Sequence, residues 1–259
     1  MGETTQTKTA LVTGGSRGIG AATVLALADR GYDVSFTYRN KAARANDIVS
    51  QATQRGVKAL ALGCDITRPE DRVQLFQQVQ QWQPQLDTLV LNASGGLEKE
   101  MLALDPEYPM HMNRDAQTAL VDLALPLLRP GGTIVFITSH WAHLYGHGIQ
   151  HIPAYEPVAA SKYAGEQALR ARQQEFAQRG IRLIVVTGDL IEGTITPKLL
   201  ERAAPGLAAN RSIQVGALPT TTEMGEAIAI AATDPSLPDG HTIVIGGSLA
   251  SLMTEESLP

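Results

Sequence analysis

The sequence predicts an α/β fold: a doubly wound parallel sheet of about seven strands with helices on both faces. Two observations predict it. Short runs that are apolar throughout alternate along the chain with segments of helical periodicity, which is typical of parallel strands covered by helices on both sides. The 259 residues, 44% of them hydrophobic, suit one large domain, and no low-complexity linker divides them. We therefore expect a single domain over residues 1–259.

Glycine and proline are scattered at the boundaries of the predicted elements. The strands are apolar at most positions rather than alternating, which indicates burial on both faces. They cover Ala10–Thr13, Asp33–Tyr38, Lys58–Leu62, Thr88–Leu91, Thr133–Thr138, Arg182–Val186 and Thr242–Ile245. Amphipathic segments between them predict helices near Ile19–Arg30, Ala42–Arg55, Pro69–Trp82, Arg114–Leu128, Pro157–Gln178 and Thr222–Ala232.

One connection interrupts this alternation. The segment 189–219 follows the sixth predicted strand and shows only a weak helical pattern, at Lys198–Ala203. A connection of this length is usually functional or mobile, and it leaves a carboxyl end of the sheet, where open α/β sheets bind ligands. We interpret it as a substrate lid. A peripheral helical insertion is the alternative.

Charge and cysteine content exclude several classes of protein. The net charge of −5 argues against a nucleic-acid partner, which needs a concentrated basic surface. The single Cys64 excludes an internal disulfide and suits a reducing cytosol, where we expect it to be a small buried apolar residue. The first residues lack an apolar stretch, Gln6 does not fit an acylation motif, and no long apolar run predicts a membrane span. The expectation is a soluble cytoplasmic protein.

A glycine-rich segment, TGGSRGIG from Thr13 to Gly20, follows the first predicted strand and opens the first predicted helix. Glycine permits a sharp turn and a close approach to a pyrophosphate, while the helix N-terminus offers unpaired N–H groups and partial positive charge. An ordinary tight turn is the alternative, but the flanking strand and helix favour a Rossmann-like dinucleotide site. Its expected cofactor contacts are Gly14, Ser16, Arg17, Gly18, Ile19 and Gly20.

With these motifs, the chain resembles the short-chain dehydrogenase/reductase family over essentially its whole length. TGGSRGIG matches the TGxxxGxG loop of that family, and DTLVLNASG from Asp87 resembles DxLVNNAG, with Leu91 and Ser94 as departures. Gly246-Gly247 matches the terminal glycine pair, and Thr187-Gly188 replaces the usual Pro-Gly.

The resemblance implies an NAD(P)H-dependent oxidoreductase that reduces a small-molecule ketone to a secondary alcohol. It implies further cofactor contacts at Asp65, Ile66, Asn92, Lys162 and Gly188. It also implies catalytic roles for Asn113, Ser139 and Lys162, and a homo-oligomer, either a dimer or a tetramer.

The charge pattern favours NADPH as the cofactor, with NADH as the alternative. An acidic residue at the end of the second strand would repel a 2′-phosphate, but Arg39, Asn40 and Lys41 stand there instead. Arg17 in the glycine loop adds a second guanidinium for charge-assisted hydrogen bonds to one phosphate. Solvated surface charges are the alternative interpretation.

Val158 stands four residues before Lys162, where the family carries its proton-donating tyrosine. Loss of a positioned general acid typically costs about 10²–10⁴ in rate. Tyr155 is a possible substitute or substrate contact, but a loop position predicts no fixed geometry. Tyr163 lies about 140° around the helix from Val158, which predicts a packing role.

Four histidines, at positions 140, 143, 147 and 151, follow Ser139. Interrupting glycines and the absence of a nearby acid or thiolate argue against a metal site. We expect His140 to contact substrate beside Ser139, whereas a polar loop is the preferred interpretation of the other three histidines.

Two functions fit this pattern. The first is reduction of a ketone that needs little help from an acid, such as a carbonyl beside a phenolic hydroxyl in an aromatic polyketide. YEPVAASK from Tyr155 and GDLIEGT from Gly188 are similar to a divergent branch of the family that acts on angucyclinone polyketides. The second function is a non-catalytic NADP(H)-binding sensor or scaffold.

Overall fold

The protein forms one seven-stranded parallel sheet, as the sequence predicts. Its computed structural model describes residues 7–149 and 151–253, so the start of the N-terminal segment discussed above lies outside the described residues. The strand order is β3-β2-β1-β4-β5-β6-β7. The strands are β1 (Thr9–Val12), β2 (Asp33–Tyr38), β3 (Ala59–Gly63), β4 (Leu86–Leu91), β5 (Leu128–Ser139), β6 (Arg182–Gly188) and β7 (Thr242–Ile245).

The strand order reverses at β1, which positions the ligand crevice. Val12 lies beside Phe36 of β2 on one side and Val90 of β4 on the other. The connections leave these strands in opposite directions, so a crevice opens at their carboxyl ends, where open α/β sheets bind ligands.

Twelve α-helical segments are present in the described residues. They are α1 (Gly18–Asp29), α2 (Ala42–Thr53), α3 (Pro69–Trp82), α4 (Lys99–Leu104), α5 (Tyr108–Met110), α6 (Ala116–Ala124), α7 (His140–His143), α8 (Glu156–Arg170), α9 (Gln173–Gln178), α10 (Ile195–Ala203), α11 (Leu207–Val215) and α12 (Thr221–Thr233). A π-helical turn (His111–Asp115) joins α5 to α6, and 3-10 turns occupy Pro153–Tyr155 and Leu249–Leu252.

Apolar layers cover both faces of the sheet. Leu75, Leu120 and Phe176 of α3, α6 and α9 are buried in one layer, while α1 and α12 belong to the other. Helices α1 and α12 approach so closely that a Cβ on Gly225 would lie 2.7 Å from the backbone of Ala22. A third apolar cluster lies at the carboxyl edge of the sheet and contains Trp141, Ile149, Ile152, Tyr155, Val158, Leu190, Leu200 and Leu252.

Three predicted elements differ from the structure. The helix predicted over Arg114–Leu128 ends at Ala124, because Pro126 has no N–H to continue the helical hydrogen bonds. The helix predicted over Pro157–Gln178 is divided into α8 and α9. The 189–219 segment contains α10 and α11, so its helical content is much greater than the weak pattern at Lys198–Ala203 indicates.

Within residues 7–149 and 151–253, no helix is long and apolar enough to cross a bilayer.

Candidate active site

One cleft runs along the carboxyl ends of the central strands. Its larger part, about 540 Å³, lies over the glycine loop and the ends of β2 and β3, and its smaller part, about 240 Å³, lies between β5, β6 and α10. Arg17, Ile19 and Asn92 line both parts. A ligand in this cleft therefore extends from the glycine loop to the end of β5.

The glycine loop forms a turn that fits a pyrophosphate. Gly14 and Gly18 have φ angles of +72° and +54°, which favour glycine, and a Cβ on Gly20 would lie 2.2 Å from the Gly14 carbonyl oxygen. Asn92 fixes the turn, since its Nδ2 donates to the Thr13 carbonyl at 2.9 Å. The side chain of the N-cap residue Arg17 makes no capping hydrogen bond to α1. The first N–H groups of α1 are thus available to an anion.

Three arginines line the larger cavity. Arg17, Arg39 and Arg44 line it, and Nη1 of Arg39 donates to the Tyr108 hydroxyl at 3.1 Å. Asn40, an expected contact, is exposed and is not part of the cavity wall. Its exposure is explained by its place beyond the last residue of β2. Arg44 was missed by sequence reasoning, although its place in the first turn of α2 could have indicated it.

The opposite wall of that cavity follows β3. Asp65 and Ile66 line it, as expected, and the Asp65 carboxylate accepts hydrogen bonds from the Thr67 amide and hydroxyl at 3.0 and 2.7 Å. Cys64 beside them is buried, and burial raises the pKa of its thiol to about 12. It is an apolar packing residue and not a nucleophile.

Lys162 lines the smaller cavity from α8. It is 9% exposed, and burial lowers the pKa of its ammonium from the usual 10.5 to about 8. No hydrogen-bond or ion-pair partner of its side chain is found in the described part of the chain. The ammonium is therefore free to bind a ligand, as the cofactor role requires.

Asn113 lies in the π-helical turn behind Lys162 and is 1% exposed. Its Nδ2 donates to the Gly95 carbonyl and to Ser161 Oγ, each at 2.9 Å. The Asn113 carbonyl faces α8 so closely that a Cβ on Gly165 would lie 2.1 Å from it. Asn113 does not line the cleft, so its side chain fixes the loop after β4 to α8.

Ser139, Tyr155 and Val158 meet in the smaller cavity. The Tyr155 hydroxyl donates to Ser139 Oγ at 3.1 Å. The prediction that Tyr155 has no fixed geometry is wrong, because a 3-10 turn directs the side chain inward and leaves it 7% exposed. Val158 presents only an apolar side chain to this space.

A model of short chain dehydrogenases matches residues 8–203. The chain belongs to this family. It is 30% identical over 249 residues to 1-cyclohexenylcarbonyl-CoA reductase of Streptomyces collinus, covering 93% of this chain and 86% of that one. It is also 30% identical over 212 residues to a hydroxynaphthalene reductase of Aspergillus fumigatus, covering 80% and 75% of the two chains.

A solved structure shows the same fold. The promiscuous reductase LugOII, which catalyses keto-reduction at C1 during lugdunomycin biosynthesis, matches with a TM-score of 0.78 and 26% identity, over 93% of this chain and 98% of that one. Family membership and the reductase relatives make the protein an oxidoreductase that uses a nicotinamide cofactor on a small molecule, and ketone reduction is the typical reaction of the family.

His140 does not line the smaller cavity, so the expected contact between His140 and substrate is wrong. It is fully buried, and its ring nitrogens contact Thr187 Oγ1 and the Gly247 carbonyl at 3.0 Å each. Ser139 ends β5 and lines the cleft, whereas His140 begins α7 and its ring packs against β6 and the glycine pair after β7. Burial lowers the pKa of His140 to about 4, so its ring is neutral at pH 7.

The other three histidines have separate partners. His143 Nδ1 contacts the buried Glu166 carboxylate at 2.8 Å, whereas the rings of His147 and His151 pack against Tyr163 and Tyr145. In the described residues, no three metal-ligating side chains are grouped. Tyr163 packs outside the cleft wall, as predicted.

Proposed function

We propose that this protein is an NADPH-dependent ketoreductase that reduces a carbonyl of a polycyclic aromatic, angucyclinone-type polyketide without a tyrosine general acid. The observation that carries the proposal is the smaller cavity, in which Ser139 and Lys162 face an apolar wall and Val158 takes the place of the acid. We further propose a cytoplasmic homo-oligomer, on the family resemblance and the single cysteine.

Three positive charges support NADPH over NADH. Arg39 and Arg44 line the larger cavity after β2, where the adenosine ribose of a dinucleotide would lie if its pyrophosphate bound the glycine loop, and Arg17 of that loop also lines this cavity. Guanidinium groups bind a 2′-phosphate through charge-assisted hydrogen bonds, and no such phosphate exists on NADH.

Replacing Arg39 by alanine is expected to weaken NADPH binding about tenfold, since one charge-assisted hydrogen bond is lost. NADH binding should change little. Fluorescence titration of both nucleotides measures the two dissociation constants, with Arg68→Ala as the control because Arg68 pairs with Glu70 on the surface, outside the cleft. Equal losses for both nucleotides would contradict a phosphate-binding role.

Each residue of the smaller cavity has a role in this reaction. Bound NADPH supplies the hydride. The Lys162 ammonium holds the nicotinamide ribose hydroxyls, and Ser139 donates a hydrogen bond to the ketone oxygen, where negative charge develops. Removing that donor by Ser139→Ala lowers kcat about tenfold in our proposal, a modest loss because other stabilisation remains.

The remaining stabilisation comes from the substrate. A phenolic hydroxyl beside the carbonyl forms an internal hydrogen bond that polarises the ketone and stabilises the alkoxide. This stabilisation offsets part of the rate factor of about 10²–10⁴ that is lost when a positioned acid is absent. Val158 supports the proposal because its side chain has no proton to give. The phenol of the substrate protonates the alkoxide, and the phenolate left behind takes a proton from solvent.

The lid interpretation of 189–219 supports an apolar substrate. Ile195, Pro197, Leu199 and Leu200 of α10 line the smaller cavity opposite Trp141. Apolar walls with few polar groups are typical of sites for flat apolar ligands. The names of the hydroxynaphthalene reductase and of LugOII support the same substrate class.

A matched pair of ketones tests the proposal. We would incubate the purified protein with NADPH and either 8-hydroxy-1-tetralone or 8-methoxy-1-tetralone, with larger hydroxylated ketones in the panel, and follow the loss of NADPH absorbance. The hydroxy compound should be reduced about tenfold faster, since only its phenol offers a proton to the reacting oxygen. Equal rates would refute substrate activation. Tight NADPH binding without consumption of any ketone would favour the sensor or scaffold.

A further inference from the structure

Ser139 Oγ accepts two hydrogen bonds from the protein. The amide of Ala142 donates to it at 3.2 Å, which caps the short helix α7, and the Tyr155 hydroxyl donates to it at 3.1 Å. A hydroxyl has two acceptor lone pairs and one proton. Both lone pairs of Ser139 are therefore occupied.

With the Tyr155 hydroxyl as the donor, the Ser139 proton has no acceptor among the other side chains and backbone groups that the structure describes. The Ser139 O–H is then directed toward the cavity that Ser139 lines. A ketone oxygen is an acceptor without a proton, as is the alkoxide formed from it. The arrangement thus makes Ser139 a donor toward a carbonyl, whereas a freely rotating serine would alternate between donor and acceptor.

We propose that Tyr155 is a positioning residue that fixes Ser139 as an obligate hydrogen-bond donor to the ketone oxygen. This inference rests on the proposed ketone reduction. The Tyr155 ring is held in place by its 3-10 turn and by the apolar cluster at the carboxyl edge of the sheet, so its hydroxyl cannot swing away without unpacking that cluster.

Positioning fits Tyr155 better than direct proton donation. Burial raises the pKa of its phenol, and the hydrogen bond to Ser139 opposes this only in part. The lysine of the family motif lowers the pKa of the family's tyrosine. Lys162, which matches that lysine, is not among the groups that shift the pKa of Tyr155. A phenolate at this position would be buried without a counter-charge, which is costly.

The hydrogen bond itself is tested without any substrate. In protein labelled with [ζ-¹³C]tyrosine, the signal missing from Tyr155→Phe identifies Tyr155, and Ser139→Ala is expected to shift that signal in the full-length protein. The signal of Tyr163, which contacts Tyr145 and His147 instead, should stay in place and is the control. An unmoved Tyr155 signal would overturn the inference, whatever the substrate.

A double-mutant cycle tests the catalytic consequence. Tyr155→Phe should lower kcat about fivefold with the KM of the ketone and the Kd of NADPH unchanged, because the lost bond matters most when charge develops on oxygen. In the Ser139→Ala background the same change should have no further effect. Tyr163→Phe is the matched control.

The outcomes separate this inference from the proposed function. A fivefold loss that persists without Ser139 would mean that Tyr155 acts on the substrate directly, and the inference would be wrong. A shifted Tyr155 signal in a protein that reduces no ketone would instead refute the proposed function and leave the Tyr155–Ser139 bond in place.

Discussion

Replacing Arg211 by methionine is expected to lower the free energy of unfolding by about 3–5 kcal/mol, because it leaves the Asp189 carboxylate buried without its partner. Arg211 lies on α11 and Asp189 follows β6, and their side chains are 3% and 0% exposed. The guanidinium Nη2 and Nε bind the carboxylate at 2.7 and 3.0 Å. Arg211 also donates to Ser251 Oγ at 2.9 Å and lies 5.4 Å from the centre of the Trp141 ring.

Urea denaturation of three variants measures this effect. Arg202→Met is the matched control, since Arg202 on α10 is exposed and has no ion pair in the described residues. The double variant Arg211→Met, Asp189→Asn should recover part of the loss because no unpaired charge remains. A loss below about 1 kcal/mol in the single variant would show that water reaches the carboxylate.

This ion pair also bears on the proposed substrate lid, residues 189–219. It fixes α11 to the residue that follows Gly188, at the end of the strand that lines the smaller cavity. The second half of the 189–219 segment is thereby anchored, whereas α10 contributes the wall over the site. We therefore expect movement in the lid to be concentrated in α10.

Local patterns in the sequence predicted the sheet and the glycine loop. A run such as Thr88–Leu91 identifies a strand because burial on both faces selects apolar residues within the run itself. The loop from Thr13 to Gly20 was equally readable, since its turn needs glycine at particular positions. Lys162 could be placed because family spacing and helix geometry determine its face.

Features that depend on contacts between distant segments were not predictable in this way. Tyr155 reaches Ser139 only because the chain turns back after α7, and the contact spans 16 residues. The Arg211–Asp189 pair spans 22 residues, and no periodicity in the sequence predicts it. His140 was placed wrongly because the strand ends at Ser139 and the His140 ring contacts Gly247, which is 107 residues away in the sequence.

The second large effect concerns Lys162, whose replacement by methionine is expected to stabilise the cofactor-free protein by roughly 3 kcal/mol at pH 7. Burial lowers the Lys162 pKa from 10.5 to about 8, so below pH 8 the folded protein carries a buried charge without a partner. Methionine has similar length and no charge to bury. Guanidinium denaturation of both proteins measures the difference, with the exposed Lys58→Met as the control.

The stability difference between the wild-type protein and Lys162→Met depends on pH with a definite sign. Between pH 8 and 10.5 the unfolded wild-type chain binds more protons at Lys162 than the folded chain does, so wild-type stability rises with pH over this range. The advantage of Lys162→Met should therefore be complete below pH 8 and disappear above 10.5. A constant difference across this range would contradict the buried-charge explanation.

NADPH should reverse the order of stability of the two proteins at neutral pH, because ligand binding stabilises only a protein that retains the ammonium to hold it. Such a cost in the unliganded state is expected for a residue selected for binding rather than for folding.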